Sequence, residues 1–146
     1  MSTVAIIPAR GGSKGLPRKN LRLLGGEPLV VHTVRAALAA RRVDRVLVST
    51  DDAAIARAAR RAGADVPFRR PPELATDHAA TLPVVQHAVA WLEDHGQRVD
   101  VVVTLQPTSP LRGPAEIDAV VALLDGGDSR SAVSVALLGV PAAAVG

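Results

Sequence analysis

Both lysines of the chain, Lys14 and Lys19, fall in one stretch, Arg10-Gly11-Gly12-Ser13-Lys14-Gly15-Leu16-Pro17-Arg18-Lys19-Asn20, while the other fifteen cationic side chains are all arginine. A lysine ammonium is a compact, strongly hydrated point charge, suited to neutralising a single phosphate, whereas arginine forks two oxygens at once. Gly11, Gly12 and Gly15 permit positive φ and let backbone amides approach an anion closely. Arg10 can hold two oxygens of one phosphate, and Lys14 and Lys19 can each neutralise another. Pro17 stiffens the loop and Asn20 is polar at its exit. The chemistry predicted is polyphosphate binding, each charge-assisted contact being worth about 1.5–3 kcal/mol.

Two commoner phosphate loops are excluded by spacing. A Walker A loop places Ser or Thr after Gly-Lys, but here Lys14 precedes Gly15 and Leu16 follows it. The dinucleotide fingerprint needs Gly-x-Gly-x-x-Gly, and this loop has Gly-Gly-x-x-Gly.

Such a loop needs a rigid strand before it. Val4 to Ile7, ended by Pro8, reads as a strand buried on both faces. Leu29, Val30, Val34 and Leu38 recur at helical spacing up to about Arg41, and Val46 to Ser49 is the next strand. Thr50, Asp51 or Asp52 supplies an N-cap for a helix through Ile55 and Ala59, which Gly63 ends. Val66 to Phe68 is a short extended piece before an irregular Arg69 to Asp77 segment. Thr81 to His95 is predicted as a helix with Leu82, Val85, Val89 and Leu92 on its apolar side. Val101 to Leu105 is a strand, Glu116 to Leu124 a helix and Ala132 to Val135 a further strand. This alternation predicts a three-layer α/β fold, a mostly parallel, Rossmann-like sheet with helices on both faces. Ligands of such sheets bind at the carboxyl ends of strands. Arg10 to Asn20, Ser49 to Asp52 and Gln106 to Arg112 all fall there and should line one crevice.

Composition narrows the possibilities. The 146 residues are 48% apolar with a formal charge of +3, which fits one globular unit and no large basic face. Phe68 and Trp91 are the aromatic residues, too few for the stacking platforms of a single-strand nucleic-acid binder. There is no cysteine, so disulfides and thiolate chemistry are excluded. No apolar run reaches the roughly 18 residues of a membrane helix, and the N-terminus enters a strand directly, so no membrane association and a cytoplasmic location are expected. Asp51 and Asp52 suit a helix start better than a metal site. The four histidines show no ligand spacing, and Thr108 and Ser109 have no adjacent His and acid to activate them.

The run Ala5 to Asn20, AIIPARGGSKGLPRKN, resembles the opening signature of the acylneuraminate cytidylyltransferases, the CMP-sialic acid synthetases. Three further segments match in order: VSTDD at Val48 to Asp52, RPPELATD at Arg70 to Asp77 and LQPTSPLR at Leu105 to Arg112. The resemblance spans about the first 135 residues. It implies a nucleotidyltransferase fold and transfer of CMP from CTP to the anomeric hydroxyl of an acidic nine-carbon 2-keto sugar, with release of pyrophosphate. Position by position it implies that Arg10, Gly11, Gly12, Ser13, Lys14, Lys19 and Asn20 hold the nucleotide. Arg10 and Lys19 would act in catalysis, Lys19 at the α-phosphate, and Arg70, Thr81 and Gln106 would frame the cytidine and sugar-acid pocket.

The family also implies Mg2+, held by paired aspartates in a second half, and a homodimer whose exchanged segment lies in that same half. Nothing after Asp128 is acidic. The expectation is therefore one cytidylyltransferase domain over residues 1–146 lacking its C-terminal part and its metal ligands, with doubtful dimerisation and very weak turnover. Two rivals are a nucleotide-binding protein that has lost catalysis and a cytidylyltransferase acting on the eight-carbon acid Kdo. The Kdo enzymes' opening motif resembles this one less, lacking the Gly-Gly pair and the Lys-Asn ending.

Overall fold

The computed structural model describes residues 2–12, 19–76, 80–107, 113–123 and 132–135, the last by backbone alone. In chain order these form β1 (Thr3–Pro8), the two-residue strands β2 (Leu23–Leu24) and β3 (Glu27–Pro28), α1 (Leu29–Ala39), β4 (Arg45–Ser49), α2 (Ala53–Ala62), α3 (Thr81–Asp94), β5 (Val101–Leu105), α4 (Pro114–Ala122) and β6 (Ala132–Val135). Single 3-10 turns cover Lys19–Leu21 and Pro72–Leu74.

The main sheet has the order β4-β1-β5-β6, and each neighbouring pair is parallel. Strand side chains alternate between two cores, as a period of two requires. Ala5, Ile7, Val103 and Leu105 pack with Val30 and Val34 of α1, Ile55 of α2 and Ile117 of α4. Val4, Ile6, Leu47 and Val102 face the other way, onto Val85, Ala88 and Leu92 of α3. The three-layer α/β arrangement read from the sequence is thus present. From β1 the chain moves outward to β4, then returns across β1 to β5, so the strand order reverses between β1 and β5. That reversal leaves a crevice beyond the carboxyl ends of β1 and β5.

Local chemistry sets the ends of α2. Asp52 is the N-cap, its Oδ1 accepting from the amides of Ala54 and Ile55 at 2.8 and 3.0 Å. Gly63 closes the helix at φ 109°, a left-handed cap available to glycine.

Several boundaries differ from the sequence reading. Leu82 is 57% exposed, and Val84 takes a buried place on α3 instead. Helix α1 ends at Ala39, before Arg41, because the Arg41 and Arg42 amides donate to the Asp118 carboxylate of α4. Helix α4 begins at Pro114, where a missing N–H costs nothing in the first turn. Around Val66 to Phe68 the extended pairing is a single parallel bridge from Asp65 to Leu47. The β2–β3 hairpin, turned by Gly25 and Gly26 at φ 62° and 85°, was not foreseen, although a Gly-Gly pair is a tight-turn signal.

Asp118 carries a pH prediction. The Arg41 amide holds its carboxyl below the usual carboxylate range; burial pushes the other way, and the Arg42 amide adds to the depression. A depressed folded-state pKa stabilises the fold above the unfolded value, about 3.9, and that stability disappears as pH falls through the folded value. The thermal midpoint should therefore fall as pH drops below about 4. Asp118→Asn should lower the midpoint at pH 7 and shrink this acid dependence; an unaltered acid profile would contradict the assignment.

Candidate functional site

The crevice between β1 and β5 is a cleft of about 210 Å³. Pro8 and Arg10 from the end of β1, Lys19 and Asn20, Arg70, Thr81 at the start of α3 and Gln106 beyond β5 are among its lining residues. Residues far apart in sequence are thus brought together by the strand reversal, as expected for the first and third of the three polar segments.

The glycine-rich loop is tied at both described ends. The Gly11 amide donates to Asp51 Oδ1 at 2.8 Å. Across the loop, Asn20 Nδ2 donates to the Arg10 carbonyl at 3.0 Å, and Asn20 is buried. Asn20 therefore clamps the exit of the loop onto its entrance. Neither Gly11 nor Gly12 has the positive φ expected of it. Gly11 is needed for closeness instead: a Cβ there would lie 2.7 Å from Asp52 Oδ2 and 2.8 Å from Asp52 Cβ. Ser13, Lys14 and Gly15 lie outside the described residues.

Arg70 is the buried cation of the cleft, only 4% exposed. Its Nη2 donates to the Ser49 carbonyl at 2.8 Å, its Nε to Ser49 Oγ at 3.2 Å and its Nη1 to the Leu74 carbonyl at 3.2 Å. Burial lowers its pKa, Asp51 opposes that shift and Arg10 adds to it. A guanidinium stays protonated even so. With three N–H groups committed to the protein, Arg70 is a fixed positive wall of the cleft. At the opposite side Gln106 Nε2 donates to Thr81 Oγ1 at 3.4 Å, joining the end of β5 to the start of α3.

The second polar segment, Ser49 to Asp52, supports the site from behind: Ser49 holds Arg70, Asp51 holds Gly11 and Asp52 caps α2. Sequence reasoning quoted these residues in a motif but gave Ser49 no part. A buried Arg needs several acceptors, which is the signal that could have found it. Asp52 takes the helix-start role expected of it, and Asp51 accepts the Gly11 amide. Among the described residues no group of three or more His, Asp or Glu side chains could hold a metal ion. The described residues thus do not fit Mg2+. Also among the described residues, no helix is long and apolar enough to cross a membrane.

A family model described as cytidylyltransferase matches residues 4–139. The chain belongs to the cytidylyltransferase family. It is 44% identical over 117 residues to the CMP-N,N'-diacetyllegionaminic acid synthase of Legionella pneumophila, covering 80% of this chain and 50% of that protein. To the N-acylneuraminate cytidylyltransferase of Escherichia coli it is 41% identical over 120 residues, covering 82% of this chain and 27% of that one. The resemblance read from the opening motif is therefore supported. Among solved structures, CMP:2-keto-3-deoxy-manno-octonic acid synthetase complexed with CTP superposes with a TM-score of 0.73 at 26% identity, over 88% of this chain and 49% of that one. The nucleotidyltransferase fold is shared. The chain spans half or less of the length of these cytidylyltransferases.

Proposed function

We propose that the cleft binds CTP and that the protein, or the larger one of which this domain forms part, transfers CMP to a sialic-acid-like 2-keto sugar acid. The observation that carries this is the convergence of Arg10, Lys19 and buried Arg70 on one crevice at the strand reversal, beside the polar pair Thr81 and Gln106. Three cations, with no carboxylate among the described lining residues, suit a triphosphate. In this reading Arg10, Gly11, Gly12, Ser13, Lys14, Lys19 and Asn20 hold the phosphates and ribose. Arg70, Thr81 and Gln106 frame the base and the acceptor.

The sugar's anomeric hydroxyl attacks the α-phosphorus in line. The new P–O bond forms as the bond from the α-phosphorus to the oxygen bridging it to the β-phosphate breaks; pyrophosphate leaves with that bonding pair and the hydroxyl proton passes to water. Lys19 balances the charge that grows at the α-phosphate, and Arg10 that on the departing pyrophosphate. Such catalysis rests on positioning and preset electrostatics more than on covalent steps. The relatives' names cover different sugar acids, so Kdo stays open as the acceptor.

The test is pyrophosphate release with Mg2+ supplied and a panel of sugar acids. The expected outcome is release that requires both CTP and a 2-keto sugar acid. Release from ATP at the same rate, or release independent of acceptor, would contradict the reading. CTP binding without any release would favour a nucleotide-binding domain that does not turn over alone.

A further inference from the structure

Asp51 has no part in the chemistry just described, yet it touches a tightly packed point at the loop entrance. Its Oδ1 accepts the Gly11 amide at 2.8 Å across 40 residues of sequence. Helix capping does not account for it, because Asp52 holds the amides of Ala54 and Ile55. We propose that Asp51 is the positioning residue of the glycine-rich loop: by fixing the Gly11 amide it sets the first turn after β1 and directs Arg10 into the cleft. This rests on the triphosphate reading of that cleft.

Three observations support it. Gly11 has no room to shift toward α2, since even a methyl group would meet Asp52 Cβ at 2.8 Å, and Asp52 is itself held by its capping bonds. The loop entrance and the start of α2 therefore form one packed unit, and the Asp51 bond joins them. On the other side Asn20 grips the Arg10 carbonyl, so the peptide unit joining Arg10 to Gly11 is held at both its C=O and its N–H. Asp51 also acts on Arg70 with the opposite sign to Arg10, so its carboxylate offsets part of the repulsion between the two guanidinium groups when no anion is bound.

Asp51→Ala removes the acceptor and the charge; Asp51→Asn keeps an Oδ1 acceptor and removes only the charge. Amide hydrogen exchange at Gly11 and calorimetric binding of CTP and of cytidine separate the possibilities. In Asp51→Ala, Gly11 exchange should accelerate and CTP should bind about fivefold more weakly or worse, while Asp51→Asn stays within about twofold of the parent in both. Cytidine, which has no phosphate, should bind all three proteins alike. Unchanged Gly11 exchange in Asp51→Ala would overturn the proposal. So would equal CTP losses in the Ala and Asn variants, or a parallel loss of cytidine, which would indicate general collapse of the site. If the parent protein binds no CTP, the triphosphate reading fails, and Gly11 exchange alone still decides whether Asp51 sets the loop.

Discussion

Arg10→Ala is expected to weaken CTP binding at least about tenfold, because it deletes a charge-assisted contact worth about 1.5–3 kcal/mol. Arg10 stands at the carboxyl end of the central strand, with its carbonyl held by Asn20 and the next amide held by Asp51. Its side chain is thus carried by a backbone with little freedom to compensate. Lys19→Ala at the other end of the loop should cost a comparable factor, since both side chains line the same cleft. Calorimetric titration of CTP into the single and double variants reads this directly. Two variants that each bind CTP like the parent would remove the triphosphate from this cleft.

Arg70→Ala is the second large effect, and it falls on stability first. Three hydrogen bonds from a residue 4% exposed would vanish, leaving the carbonyls of Ser49 and Leu74 without those donors. At about 1 kcal/mol for each bond, the loss is about 3 kcal/mol. For a chain of this size that is a fall of about 10 °C in the thermal midpoint. Arg70→Lys should recover only part of it, because an ammonium cannot reproduce the planar fork that reaches Ser49 from two nitrogens. Differential scanning calorimetry checks both variants. A midpoint for Arg70→Ala within about 2 °C of the parent would show that Arg70 is not a structural wall of the site.

Much of this site was legible in the chain, and the reasons are physical. Buried parallel strands require nearly continuous apolar runs, so Val4 to Ile7, Val46 to Ser49 and Val101 to Leu105 stood out without structural help. Once those strands were placed, the strand-end rule brought Arg10, Lys19 and Gln106 to one end of the sheet. Less legible were features set by tertiary contact. Leu82 fits an apolar helical stripe but faces solvent, because Val85 meets the sheet and Val84 lines the cleft instead. Gly11 looked like a residue kept for positive φ, whereas its constraint is the side chain of Asp52, forty-one positions further along the chain. The division of labour between Asp51 and Asp52 also depends on where β1 ends relative to β4, which follows from the register Pro8 to Ser49 and not from local sequence.

The central claim is that a cleft built from the end of β1, the glycine-rich loop and the end of β5 selects CTP. Its most direct test is calorimetric titration of the protein with CTP, ATP and GTP under identical salt and Mg2+. The expected result is saturable one-site binding of CTP, at least about tenfold tighter than either purine nucleotide, a difference of about 1.4 kcal/mol. Equal affinities for all three, or no binding of CTP, would contradict it.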